Sequence, residues 1–411
     1  MTLIKKPVTG MKDILPKEMA VRNYVLDMIR ETYASFGFSA IETPVVEHIE
    51  NLLSKQGGEN EKLIFKILKR GEKLDLSAPT TEEAVTDSGL RYDLTLPLAR
   101  YYANHASELP SPFKALQTGS VFRADRPQRG RFRQFTQCDI DILGEASHLA
   151  EIDLILATSL VLSRLDFHHF TIRVNDRKLL KAMADKAGFP ESDYEKIFII
   201  LDKMDKIGRD GVRAELLESY PENMVDSYLA QFGEEGAEGG LTEQDLALME
   251  ETGSPLPEII RTVDAVKQGD YRVVYDPTLV RGMGYYTGPI FEIAMDEYGG
   301  SVGGGGRYDE MIGKFIGQSV PAVGFSIGFE RIIMLLLERG FEVPGSAGKT
   351  AFLIEKKMPE EKLAAIWAEA MELRASGRTV DIAVMKKNKK FQKEQLAEAG
   401  YTDVREFFSR S

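Results

Sequence analysis

From position 123 to 133 the chain carries five arginines (Arg123, Arg126, Arg129, Arg131 and Arg133) against one acid, Asp125; amides and acids then alternate up to Asp141. The pattern reads as strand, loop and returning strand. An arginine anchored on a strand can grip a phosphate through paired charge-assisted hydrogen bonds, each contributing roughly 1.5–3 kcal/mol, so the loop has the chemistry to hold a triphosphate or a polynucleotide end. Taken alone, it fits an exposed hairpin with a basic tip equally well. A second segment, Leu279 to Gly288, sets Arg281 beside glycines that let backbone approach a ligand; taken alone, a glycine-rich turn with two core tyrosines, Tyr285 and Tyr286, accounts for it. A third, Gly324 to Arg331, runs from a strand into an apolar helix and places Arg331 near a helix N-terminus, where anions are favoured, although Glu330 or Glu338 could simply pair with it. The run Gly303 to Asp309 lacks both the spacing and the βαβ context of a dinucleotide loop; it reads as a strand packed tightly on a ligand or a neighbouring backbone.

The elements that must position these residues follow from periodicity. Val21, Tyr24, Val25, Met28, Ile29 and Tyr33 recur every three or four residues, predicting an amphipathic helix from Pro16 to Phe36 that stops at Gly37. Phe38 to Val46 reads as a strand interrupted by Pro44, suited to an edge or an interface. Further strands are expected at Phe113–Phe122, Phe132–Leu143, Phe170–Val174, Tyr271–Asp276, Tyr285–Met295 and Ala322–Ser326, with few helical crossovers in the middle. That predicts an α+β fold with an antiparallel sheet flanked by helices rather than a doubly wound parallel sheet. Residues 175–267 turn helix-rich and acidic, with a loop at Gly233–Gly240, and look like an insertion between strands. An apolar helix, Glu330 to Leu337, leads to a Pro/Gly/Ser-rich linker at 339–349. The remainder, 350–411, alternates strand and helix as a small α/β module, with helices at Pro359–Ala375 and after a strand at Thr379–Val384. The expected division is thus 1–338, a linker, and 350–411.

Composition narrows the class. With 411 residues, 43% of them hydrophobic, the chain can bury two or three cores. It contains no run near the roughly 18 apolar residues of a membrane span and no signal-peptide pattern, so a soluble cytoplasmic protein is expected. One cysteine, Cys138, excludes an internal disulfide, and five histidines at no ligand spacing argue against structural zinc. A net charge of −12 argues against broad nucleic-acid binding. The arginine run, and a second cluster at Lys386, Lys387, Lys389 and Lys390, suit a protein that touches phosphate in a few places.

In their order, these segments resemble the class II aminoacyl-tRNA synthetases, and among them the histidyl-tRNA synthetases, from Lys12 to about Glu338. The helix with Pro44 looks like the first class II signature, which forms a dimer interface in that family; Phe122 to Asp125 with the arginine loop looks like the second, and Gly324 to Arg331 like the third. The runs Arg281 to Tyr286 and Gly304 to Asp309 look like the histidyl-specific segments, and Leu90 to Thr95 like the one that holds the amino acid. The resemblance implies ATP-dependent activation of L-histidine and transfer to tRNA(His) by a homodimer. ATP arrives with Mg²⁺, with no zinc and no organic cofactor. It further implies that Arg123 binds the α-phosphate, that Arg331 clamps the far phosphates, and that Arg281 supplies a second α-phosphate cation, where most class II enzymes use a metal. Asp125 stands near the adenine, where the family usually has Glu. Asp93, Thr95 and Gln137 match the amino-group site, Asp141 and Tyr286, with Tyr285 beside it, the imidazole site, and Arg126 and Gln128 the contacts to the extra 5′ guanosine of the tRNA. Gly284 lies where many members carry Asp, so a partner for Arg281 is either missing or supplied from elsewhere. The module after Thr350 looks shortened relative to the family's anticodon-binding domain.

Two other readings compete. A regulatory subunit of ATP phosphoribosyltransferase shares the fold and senses histidine without catalysis, but has no use for a triphosphate clamp joined to a tRNA loop. A general RNA-binding module would leave the ordered arginines unexplained.

Overall fold

The computed structural model describes residues 3–53, 60–77, 81–232, 241–281, 284–344 and 348–410. The expected loop at 233–240, the middle of the linker and Gly282–Met283 lie outside the described residues. The chain forms two compact units, Met1–Asp13 with Val25–Arg339, and Ile14–Tyr24 with Gly340–Ser411.

The strands of the first unit are β1 (Ser39–Ile41), β2 (Val46–His48), β3 (Lys66–Leu68), β4 (Thr86–Leu90), β5 (Phe113–Phe122), β6 (Gln134–Leu143), β7 (Phe170–Asp176), β8 (Tyr271–Tyr275), β9 (Pro289–Met295), β10 (Gly300–Arg307) and β11 (Ala322–Ile327). Eight of them form one sheet in the order β1-β5-β6-β11-β10-β9-β7-β8. From β5 to β7 every neighbour is antiparallel; only the outer pairs, β1 with β5 and β7 with β8, are parallel. This is the expected antiparallel sheet flanked by helices. The parallel β7–β8 pair is joined through the helix-rich segment, six helices from Arg177–Ala187 to Leu256–Val266, as a parallel pairing requires a long crossover.

Three expectations shift locally. The strand at Phe38–Val46 splits around Pro44: β1 takes the sheet edge, while β2 joins β4 and β3 in a separate small sheet. Proline has no N–H for a ladder, so the chain changes sheets there. The strand expected from Tyr285 begins at Pro289, which leaves both tyrosines in the preceding loop. The glycine run is a strand, β10, clamped between β9 and β11. Every fourth residue of the first helix, Pro16–Ser35, is buried (Val21, Val25, Ile29 and Tyr33), as the stripe required.

In the second unit, β12 (Lys349–Ile354) lies between β13 (Val380–Val384) and β14 (Tyr401–Phe407), all parallel, with helices Glu360–Ala375 and Lys389–Glu398. The sequence reading ended this module in a helix and missed β14. That strand carries alternating charges that read as loop, but they are paired: Arg405 with Glu369 at 2.5 Å and Glu406 with Lys393 at 2.6 Å. Among the described residues no helix is long and apolar enough to cross a membrane.

Candidate active site

The register of the large sheet lines up side chains that are far apart in sequence. Directly opposed residues on antiparallel strands share a face, so the pairings Gln117–Asp139–Ser326–Gly304–Glu292–Arg173 form one row across six strands. One step along, Asp141–Gly324–Gly306–Ile290 form a parallel row. The glycines remove side chains from the middle of both rows, and a cavity of about 640 Å³ opens over them.

What stands over each glycine shows why no larger residue fits. A Cβ on Gly304 would lie 2.6 Å from Cζ of Arg281, one on Gly306 2.9 Å from the Tyr286 ring, and one on Gly324 2.0 Å from a carboxylate oxygen of Asp141. The bare backbone floor therefore lets a cation, an aromatic ring and an acid come down onto the sheet. Arg307, the next residue of β10, points to the other face and makes a buried two-pronged ion pair with Glu151 at 2.6 and 2.8 Å.

Arg281 reaches the cavity from the loop between β8 and β9. Asn175, at the end of β7, donates to the carbonyls of Pro277 (3.2 Å) and Leu279 (2.9 Å) and so ties down the approach to it. The Arg281 backbone sits at φ 61°, a conformation that costs an L-residue about 1–2 kcal/mol. Its guanidinium donates to Glu292 at 2.8 Å. This is the partner sought when Gly284 was found in place of an acid, and it comes from β9. Asp202, from the helical insertion, also lines the cavity and is electrostatically coupled to Arg281.

Arg123, at the end of β5, is fixed from three sides. Its Nε donates to the Tyr92 carbonyl at 3.1 Å, and its guanidinium lies 4.2 Å from the centre of the Tyr92 ring and 5.2 Å from that of Phe135. Arg331, in the first turn of helix Phe329–Glu338, lies 5.3 Å over the Tyr298 ring and donates to the Ser301 carbonyl. It does not pair with Glu338, which instead binds Arg129 at 2.7 Å. Burial lowers the pKa of Arg331. Asp125 lines the same cavity, 4.0 Å from Arg131.

The acidic end lies at β6. Asp93 is buried and accepts the Leu96 N–H at 3.1 Å, which starts helix Thr95–His105 and sets Thr95 at the cavity wall. Gln137 reaches toward Ser326 at 3.5 Å, leaving its buried carbonyl oxygen without a partner. Asp141 accepts from the Tyr308 hydroxyl at 2.5 Å, and its second oxygen is buried and unpartnered. Burial raises the Asp141 carboxyl to about 7 against the Tyr308 bond, which lowers it, with Asp93 adding to the rise. The rings of Tyr285 and Tyr286 are 4.8 Å apart and close this end.

Ten of the twelve residues named from the sequence thus line one cavity. Arg126 and Gln128 do not: they are exposed on the loop between β5 and β6, whose tip is closed by backbone bonds between Gln128 and Arg131 at 3.1 and 3.0 Å. Sequence reasoning did not single out Asp139, Glu292, Tyr308 or Ser326. The first was signalled by the alternation along β6; the others emerge only from strand pairing.

Comparison with known proteins gives the family. Residues 10–332 match the family model described as histidyl-tRNA synthetase. A protein of Leifsonia xyli subsp. xyli named histidine–tRNA ligase is 46% identical, over 96% of this chain and 93% of that one. A Christiangramia forsetii protein of the same name is 38% identical, over 80% and 76%. The crystal structure of histidyl-tRNA synthetase from Nostoc superposes with a TM-score of 0.76 at 28% identity, covering 97% of this chain and 90% of that one. An ATP phosphoribosyltransferase regulatory subunit/histidyl-tRNA synthetase structure from Bacillus halodurans has a TM-score of 0.74 at 23% identity, covering the whole of both chains, and shares the fold. With the match running through every strand that floors the cavity, the chain belongs to the histidyl-tRNA synthetase family.

Proposed function

We propose that this protein activates L-histidine with Mg–ATP to histidyl-adenylate and transfers the histidyl group to tRNA(His). The observation that carries this reading is the gathering of Arg123, Arg281 and Arg331 with Asp93, Gln137 and Asp141 in the lining of a single cavity. When the histidine carboxylate attacks the α-phosphorus of ATP, charge builds on that phosphoryl group and on departing pyrophosphate. Little proton chemistry is needed, so positioned cations and proximity supply the catalysis. In this reading Arg123 and Arg281 face the α-phosphate, Arg331 the distal phosphates, and Asp125 the adenine side.

Asp93, Thr95 and Gln137 take the ammonium, and Asp141 with Tyr285 and Tyr286 the ring. A ligand without ring nitrogens would leave the Asp141 oxygen buried and unpaired, which is how such a site rejects analogues by large factors. Arg126 and Gln128, exposed beside the cavity mouth, suit contacts to the 5′ end of the tRNA, and the second unit suits the far end of the tRNA, with Lys386 to Lys390 at the start of a helix capped by Asn388. The exposed Val45 and Val46 around Pro44 support a homodimer, which sedimentation at micromolar concentration tests.

The deciding experiment is exchange of labelled pyrophosphate into ATP with each amino acid in turn. Exchange with histidine alone is expected. Histidine binding with no exchange would instead establish a histidine-sensing regulatory subunit.

A further inference from the structure

Asp139 has no role in the mechanism above, yet it is the residue beside Asp141 on the same face of β6. Alternate residues on a strand stand about 7 Å apart, so the two carboxyls flank one stretch of the cavity wall. Asp139 is 4% exposed and Asp141 2% exposed. Each has one oxygen, Oδ1 of Asp139 and Oδ2 of Asp141, buried without a hydrogen-bond partner among the described residues. Their other oxygens are served by Ser326 on β11 and Tyr308 after β10. Both residues line the cavity in which the histidine-site reading puts the ring.

We infer that Asp139 is a further specificity-determining residue, and that Asp139 and Asp141 together hold the ring of histidine as the imidazolium cation. The inference rests on the proposed histidine site. Against two ionised carboxylates a neutral imidazole, with one N–H and one lone pair, could satisfy only one and would face the other with a lone pair. An imidazolium offers two N–H donors, one for each.

Charge counting leads to the same place. The ammonium of histidine is matched by Asp93; Arg123, which lowers Asp139 from a distance, is fixed against Tyr92 and Phe135 and faces the α-phosphate in the reading above. Arg281 is held by Glu292. From β4's end, Arg91 acts on Asp139 from a distance, but it is committed to the carbonyls of Thr43 and Ser120. Tyr286 and Tyr308 approach Asp139 as neutral phenols. Among the described residues no cation is thus bonded to Asp139 or Asp141.

Burial, and then the neighbouring Asp141, raise Asp139 well above the usual carboxylate range, which favours a proton on the pair in the free protein. When histidine enters, the facing carboxyls of Asp93, Asp139 and Asp141 favour a positive charge on the ring, whose two N–H donors meet two acceptors. The proton passes from the acid pair to the ring nitrogen, both carboxylates are left ionised against one cation, and no proton need come from solvent.

The test is the nitrogen spectrum of ring-¹⁵N histidine bound to the intact protein at pH 8, well above the free imidazole value of about 6.5. Both ring nitrogens are expected at protonated, pyrrole-type shifts. In Asp139→Asn one nitrogen should revert to the pyridine-type shift at that pH, and the histidine concentration for half-saturation should rise at least about tenfold, as loss of a charge-assisted bond implies. A pyridine-type nitrogen in the wild-type complex overturns the proposal, whether or not the variant folds. So does a variant that binds histidine as tightly as wild type. Absence of saturable histidine binding overturns the functional reading along with it, whereas a bound neutral ring overturns this proposal alone.

Discussion

Gly304 and Gly306 lie on the same face of β10, two residues apart, yet substituting them should damage different halves of the reaction. A Cβ at Gly304 would fall 2.6 Å from both Cζ and Nη1 of Arg281 and 2.7 Å from the Phe291 carbonyl. Ordinary contact needs about 3.6 Å, so the guanidinium must move by about 1 Å. That breaks its 2.8 Å bond to Glu292 and lifts it from the place where it would meet the α-phosphate. A displacement of 1 Å costs on the order of 100-fold in rate, or about 2.7 kcal/mol of transition-state stabilisation. Crowding against the Phe291 carbonyl adds about 1–3 kcal/mol of destabilisation, to be read separately as a fall in the thermal midpoint. At Gly306 the added methyl meets Ile290 at 2.8 Å, the Pro289 carbonyl at 2.8 Å and the Tyr286 ring at 2.9 Å, none of them a cation. Pyrophosphate exchange at saturating ATP separates the two: Gly304→Ala should lower kcat about 100-fold with KM for histidine within about threefold, while Gly306→Ala should act mainly by raising KM for histidine. A folded Gly304→Ala protein with kcat within threefold of wild type would refute the claim that the bare floor exists to seat Arg281.

Arg281→Ala should cut the exchange kcat by about 100- to 1,000-fold while shifting histidine binding, measured calorimetrically, only modestly, because the charge it meets develops in the transition state; equal losses in both would assign it to substrate binding. Asp141 has a folded-state value raised to about 7, so its contribution to stability is present below the unfolded value near 4 and is lost as pH rises through 7. The thermal midpoint of the ligand-free protein should therefore fall between pH 5 and 8 more steeply in wild type than in Asp141→Asn; parallel curves would contradict this. Glu151→Gln removes the two-pronged partner of the buried Arg307, leaving it Asp309 at 3.3 Å, and should cost about 1–3 kcal/mol in chemical denaturation, with exchange per folded molecule retained. For the tRNA, deleting the extra 5′ guanosine should reduce aminoacylation more than replacing the anticodon, since Arg126 and Gln128 present the exposed contacts; a larger loss from the anticodon change would place the identity reading in the second unit.

Local chemistry was legible wherever a residue's role depends on its near neighbours in the chain. The first helix declared itself through Val21, Val25, Ile29 and Tyr33, and β5 and β6 through continuous apolar and alternating runs, because burial on one face imposes a period on the sequence. The arginine loop and Arg331 were visible for the same reason, as charge concentrated at the ends of apolar elements. Tertiary structure decided what those residues meet. That Glu292 partners Arg281, that Ser326 and Tyr308 hold Asp139 and Asp141, and that Glu338 belongs to Arg129 and not to Arg331 all depend on which strands adjoin and in what register. A one-residue slip of β10 would turn Gly304 and Gly306 away from the cavity and bring Gly305 and Arg307 to face it. Periodicity sets which face of a strand is buried, but cross-strand distance is settled only when antiparallel neighbours far apart in the chain come into register, and the cavity is made of those distances.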